Sequence, residues 1–113
     1  MAMPKTYAIG HLRHVRLGPD IAEYLRRIDA TFEPYGGRFL VHGMPHEVLE
    51  GDWPGDLIII EFPDRASAEG WYRSDAYQSI LPLRTENADG SVIMVDGNAH
   101  DHRGADVLDA LAG

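Results

Sequence analysis

Cysteine is absent from the 113-residue chain, which excludes a disulfide framework, a thiolate nucleophile and any cysteine-ligated zinc or iron–sulfur centre. Basic residues are few: ten Lys and Arg stand against eighteen Asp and Glu, a formal charge of −8 with histidine neutral. They are scattered from Lys5 to Arg103, so there is no electrostatic footprint for a phosphate backbone or an anionic bilayer, and neither nucleic acid nor membrane is expected as a partner. No apolar run approaches the roughly 18 residues needed to span a bilayer, and Met1 to Gly10 lacks the apolar stretch of a secretory leader. A soluble, cytoplasmic protein is expected. The P-loop, G-x-G-x-x-G and G-x-S-x-G patterns are also missing, which removes the sequence case for ATP, dinucleotide or serine-hydrolase chemistry; no cofactor is expected.

What is present is ordinary globular material, 44% hydrophobic and 25% charged, at a length that suits one domain. Thr6 to Val15 mixes β-branched, aromatic and small residues in a strand-like way and stops at Leu17-Gly18-Pro19. From Asp20 the apolar positions Ile21, Tyr24, Leu25, Ile28 and Phe32 recur at the spacing of one helix face, with Pro19 in the first turn and Pro34, Gly36 and Gly37 as the stop. Arg38 to His42 reads as a strand that meets Gly43-Met44-Pro45 and resumes at Glu47-Val48-Leu49, and the Gly and Pro inside it indicate a bulge or an edge. Asp56 to Phe62 is the most apolar run, a strand covered on both faces. Asp64 caps a helix running through Trp71 and Tyr72, Ser74 and Asp75 start a shorter one limited by Pro82, and Ser91 to Val95 is the last strand.

The order strand, helix, strand, strand, helix, strand predicts an α+β fold, the split β-α-β-β-α-β arrangement, with a four-stranded antiparallel sheet and helices on one face. Ile58, Ile60 and Phe62 then point one way and Leu57 and Ile59 the other, so a second apolar sheet face needs cover and a homodimer through the sheet faces is expected. The domain spans 1–97. The remaining 98–113 is a polar tail in which Val107, Leu108 and Leu111 are spaced to line a short helix.

Five blocks carry a family resemblance: Tyr7-Ala8-Ile9-Gly10-His11; Tyr35-Gly36-Gly37-Arg38-Phe39-Leu40-Val41; Leu49-Glu50-Gly51-Asp52-Trp53; Glu61-Phe62-Pro63; and Trp71-Tyr72-x-Ser74-x-x-Tyr77-Gln78. With Arg84 after them they cover roughly residues 6–97, and the chain resembles the small bacterial domain-of-unknown-function family 1330 (DUF1330). The resemblance implies the dimeric α/β-barrel superfamily, in which ferredoxin-like protomers pair through their sheets, and it implies no established activity. Where the family commonly reads Leu-Val-Arg-Gly-Gly, this chain has Leu40-Val41-His42-Gly43-Met44. Neutral imidazole cannot supply a permanent fork of donors, so an anion-binding role at position 42 would depend on protonation of His42.

Six histidines are the obvious proton-transfer groups near neutrality. His11 and His14 are an odd number apart on one strand and face opposite sides, which speaks against shared metal ligation. His11 and His42 are the better candidates for a base because they lie in strands of the recognised domain, although a merely hydrogen-bonded histidine is the commoner state. His46-Glu47-Val48-Leu49-Glu50 lacks the second histidine and the helix that a metalloprotease needs. His100-Asp101-His102 lies in the tail, and no metal site is expected.

A second cluster is Trp71, Tyr72, Tyr77 and Arg84. Trp71 is most simply core, while Tyr72 and Tyr77 can pack their rings and present hydroxyls into a cavity. Arg84 needs a partner if buried, either Glu61, Glu50 or a bound carboxylate; salt bridge and ligand clamp both stand. Tyr24 packs in the core or closes the same cavity. These residues support an uncharacterised binding protein for a small molecule such as an organic acid, with Arg84, Tyr24 and Trp71 as ligand contacts. The resemblance raises an alternative, a cofactor-independent acid–base enzyme (a cyclase, isomerase or cofactorless oxygenase) with His11 or His42 as base and Tyr72 or Tyr77 as polariser. A non-catalytic structural dimer is a third reading, and enzymatic status is left open.

Overall fold

Four strands and four helices follow one another in the order expected, in a computed structural model that describes residues 4–112. Strand β1 (Thr6–Arg13) is followed by α1 (Pro19–Phe32), a 3-10 turn (Glu33–Tyr35), β2 (Arg38–His42) and β3 (Asp56–Phe62). Helices α2 (Arg65–Arg73) and α3 (Asp75–Thr85), strand β4 (Asp89–Asp96) and a terminal α4 (Asp106–Ala112) complete the chain. The sheet order is β2-β3-β1-β4 and every neighbouring pair is antiparallel.

Local signals account for most boundaries. Pro19 opens α1; the Asp64 side chain accepts from the Ser67 N–H at 2.8 Å to cap α2, and Ser74 Oγ accepts from the Tyr77 N–H at 3.1 Å to cap α3. Pro82 does not limit α3 as its type suggests, since the helix runs on to Thr85. The N–H that proline lacks would have gone to the carbonyl of Gln78, an exposed residue that water can serve.

The segment Glu47 to Leu49 is not a strand. Gly43 to Gly55 is an irregular loop with positive φ at Gly43, Gly51 and Gly55, and β3 has both edges occupied by β2 and β1, so nothing central remains for it to pair with. Gly55 closes that loop against β1: at φ 90° a Cβ there would collide with the Leu12 carbonyl oxygen, and only glycine fits.

Helices α1, α2 and α3 cover one face of the sheet. Ala8, Ile60 and Phe62 on that face join Tyr24, Ile28, Phe32, Ala68, Trp71, Tyr77 and Ile80 in a single core. The other face carries Ile9, Leu57 and Ile59, half-buried, with Ile93 57% and Val95 42% exposed. Helix α4 has no buried residue. None of the described helices is long and apolar enough to cross a membrane.

Candidate functional site

Between the helix-covered sheet face and the α1–α3 pair lies a cavity of about 440 Å³. Its sheet side is small and apolar, with Ala8 and Gly10 of β1 opposite Ile60 and Ile58 of β3. Its helix side carries the buried polar groups. Tyr24 falls on the buried stripe of α1, and Tyr77 and Arg84, seven residues apart on α3, share one face two turns apart. All three are at least nine-tenths buried. The hydroxyls of Tyr24 and Tyr77 are 2.8 Å apart, and the Arg84 guanidinium carbon is 5.9 Å from the centre of the Tyr24 ring.

Counting donors shows what the cluster offers. Two hydroxyls share one hydrogen bond, so one O–H is left over beside the guanidinium, whose charge is permanent. Burial, then the charge and hydrogen bond of Tyr77, push the Tyr24 pKa far above its ordinary value of 10.0, against a smaller opposing pull from Arg84. Tyr24 is therefore a neutral hydroxyl and a donor. Burial opposes the Arg84 charge, but the two tyrosine oxygens outweigh it and leave the pKa raised.

Neither carboxylate considered for Arg84 reaches it. Glu61 lies on the opposite sheet face, held by Lys5 Nζ at 3.5 Å and Arg38 Nε at 3.0 Å, and Glu50 is exposed in the Gly43–Gly55 loop. Among the described residues no carboxylate lies within ion-pair distance of Arg84.

Trp71 lines the cavity with its ring alone. Its Nε1–H donates to Thr31 Oγ1 at 2.9 Å, Thr31 donates on to the Ile28 carbonyl at 2.6 Å, and the ring lies 5.2 Å from Phe62 and 4.3 Å from Tyr77 between centroids. Tyr72 packs 5.6 Å from the Tyr77 ring but lies outside the cavity wall.

The histidines separate. His42 lines the cavity because β2 has a bulge: the register shifts between Phe39 and Val41, so Phe39 opposite Ile60 and His42 opposite Ile58 share the inner face. Their rings stack in parallel at 4.0 Å. His11, opposite Leu57 and Ser91, is on the outer face. It stacks on Trp53 at 4.3 Å, bonds the Pro54 carbonyl at 2.6 Å and takes a hydrogen bond from Arg13 at 3.2 Å, so it anchors the loop and does not meet the tyrosines. His14 reaches the inner side and bonds Asp89 at 3.2 Å. Among the described residues no group of three or more His, Asp or Glu is arranged to hold a metal ion.

Gly10 and Asp56 line the cavity without having stood out in sequence. A glycine in the middle of a strand, where it packs nothing, is the signal that marks the first.

Residues 5–98 match the family described as Domain of unknown function (DUF1330). No curated protein matches the chain. Among solved structures the RPA0582 protein of Rhodopseudomonas palustris is 21% identical, with a TM-score of 0.64 over 85% of this chain and 84% of that one. SnoaB, a cofactor-independent oxygenase from Streptomyces nogalater, is 9% identical with a TM-score of 0.61 over 88% of this chain and 99% of that one. A dimeric ferredoxin-like protein from Jannaschia sp. is 11% identical with a TM-score of 0.53, covering 84% and 99% of the two chains. These likenesses establish the ferredoxin-like fold.

Proposed function

We propose that this chain, which belongs to the DUF1330 family, is a homodimeric binding protein for a small organic anion, held in the cavity by Arg84 with the Tyr24–Tyr77 hydroxyl pair. One observation carries this: a permanent cation only 8% exposed, on the wall of an apolar cavity, with donors beside it and no carboxylate within reach. A buried charge left without a counter-charge costs several kcal/mol, and a ligand carboxylate supplies the missing one through a forked, charge-assisted pair. Trp71 acts as an apolar wall, His42 stands at the rim, and His11 and Tyr72 have no part in the site.

Calorimetric titration with benzoate at fixed ionic strength is expected to give saturable binding. Arg84→Met should weaken it at least tenfold and leave the unliganded fold intact, because methionine fills similar volume and removes a buried charge that no carboxylate balances. Equal affinity in the variant would take Arg84 out of the site.

The dimer rests on the outer sheet face, where Ile59, Ile93 and Val95 form an apolar surface. At about 25 cal/mol per Å², several hundred Å² buried there contributes several kcal/mol before the association cost. Sedimentation at micromolar concentration should give twice the 12.6 kDa chain mass; a single-chain mass would remove the dimer. The tail from residue 98 takes no part in the cavity.

A further inference from the structure

We infer that the ligand class is an amphipathic monocarboxylate, one charged head on an extended apolar body; this rests on the anion-binding reading above and narrows it. Two features of the cavity lead there. The first is the segregation of its polarity. The buried cationic and donor atoms come from Arg84 and the tyrosine pair on the helix wall, His14 and His42 line the cavity only as exposed residues, and Ile28, Ile58 and Ile60 offer a ligand nothing but hydrocarbon. A second polar group buried among them would lose its water without gaining a partner. Asp56, exposed and also on the cavity wall, repels a second carboxylate left towards solvent. A second polar group is thereby disfavoured wherever it would lie among the isoleucines, which counts against dicarboxylates and polyhydroxy acids, and an apolar tail is accepted there.

The second feature is Gly10. It sits in the interior of the central strand, where glycine is intrinsically poor, and its neighbours do not demand it. A Cβ built there meets Ile58 Cβ at 3.7 Å and Val92 Cγ2 at 4.0 Å, ordinary contacts, and its φ is outside the left-handed region. A Cβ at this position fits the fold and takes up space at the cavity wall. The glycine therefore keeps open a space that the fold does not require, beside the isoleucines that would receive a ligand tail.

The test is a calorimetric series at constant pH and ionic strength with butanoate, hexanoate, octanoate, succinate and 1-octanol. Each methylene that leaves water for an apolar wall multiplies affinity by about fourfold when fully buried. Octanoate is expected to bind at least ten times more tightly than butanoate and succinate. Gly10→Val should reduce octanoate binding about tenfold, change butanoate by less than about twofold and leave the melting temperature no lower, since valine is the better strand residue. Gly10→Ala, with only the Cβ, should fall between. Succinate equal to octanoate, with both lost in Arg84→Met, would overturn this inference and leave the anion site standing. Octanoate and 1-octanol equal to each other and indifferent to Arg84→Met would overturn the anion site itself. No binding of any member would overturn both.

Discussion

Trp71→Ala is expected to cost about 3–5 kcal/mol of folding stability, the range for deleting a buried large aromatic. The ring is 2% exposed and wedged between Phe62 and Tyr77, so its removal forfeits transfer energy and joins a new void to the cavity already present. It also leaves Thr31 Oγ1 without the donor it now has at 2.9 Å. Urea unfolding measures the loss. Trp71→Phe keeps most of the volume and isolates the hydrogen bond, with an expected cost of about 1–2 kcal/mol. A cost below about 1 kcal/mol for the alanine variant would mean that the ring is not part of the core, contrary to its burial.

The second large effect is a loss of stability at high pH that originates in one side chain. Burial first, and then the charge and hydrogen bond of Tyr77, hold the Tyr24 proton far above its ordinary value of 10.0. Above about pH 10 the unfolded chain releases that proton and the folded chain keeps it, so more protons are bound in the native state and stability falls as pH rises. Below about pH 10 both states are protonated and the contribution is level. The slope from this residue approaches about 1.4 kcal/mol per pH unit. Tyr24→Phe should therefore lose about 1 kcal/mol at pH 8 through the missing hydroxyl bond, yet show a shallower decline between pH 10 and 11 than the parent. Parallel declines would assign the alkaline loss to other groups.

Trp71 and Tyr24 belong to one structural unit. Trp71, Tyr77 and Tyr24 run from the core to the cavity wall through ring contacts and one hydroxyl bond, so the packing that stabilises the fold also orients the donors beside Arg84. Substitutions at Trp71 are thus expected to disturb binding and stability together, whereas Arg84→Met and Gly10→Val should separate them.

Sequence alone determined the elements and their order, because each is specified by residues within a few positions of one another. The three-and-four spacing of Ile21, Tyr24 and Ile28 makes a helix face whatever lies opposite, Asp64 and Ser74 cap the helices that follow them, and the run Asp56 to Phe62 has the composition of a covered strand. Those local rules, with the family pattern, carry the ferredoxin-like arrangement and the candidacy of Tyr24, Trp71, Tyr77 and Arg84.

What only the tertiary structure decided depends on groups far apart in the chain. Alternation along β2 would send Phe39 and His42 to opposite faces, and the bulge between Phe39 and Val41, expressed only in pairing with β3, brings them to the same one. Pro82 ends a helix by local steric rules but is tolerated inside α3, where the residue one turn before it, Gln78, is exposed. The partner of Arg84 is the furthest from local reading. Glu61 was eligible by charge, and the sheet places it on the other face with Lys5 and Arg38, while Tyr24 and Tyr77, 53 residues apart, meet beside the guanidinium. Side-chain type and spacing define which groups are able to interact; strand register and helix packing, which sum contributions from the whole chain, define which of them do.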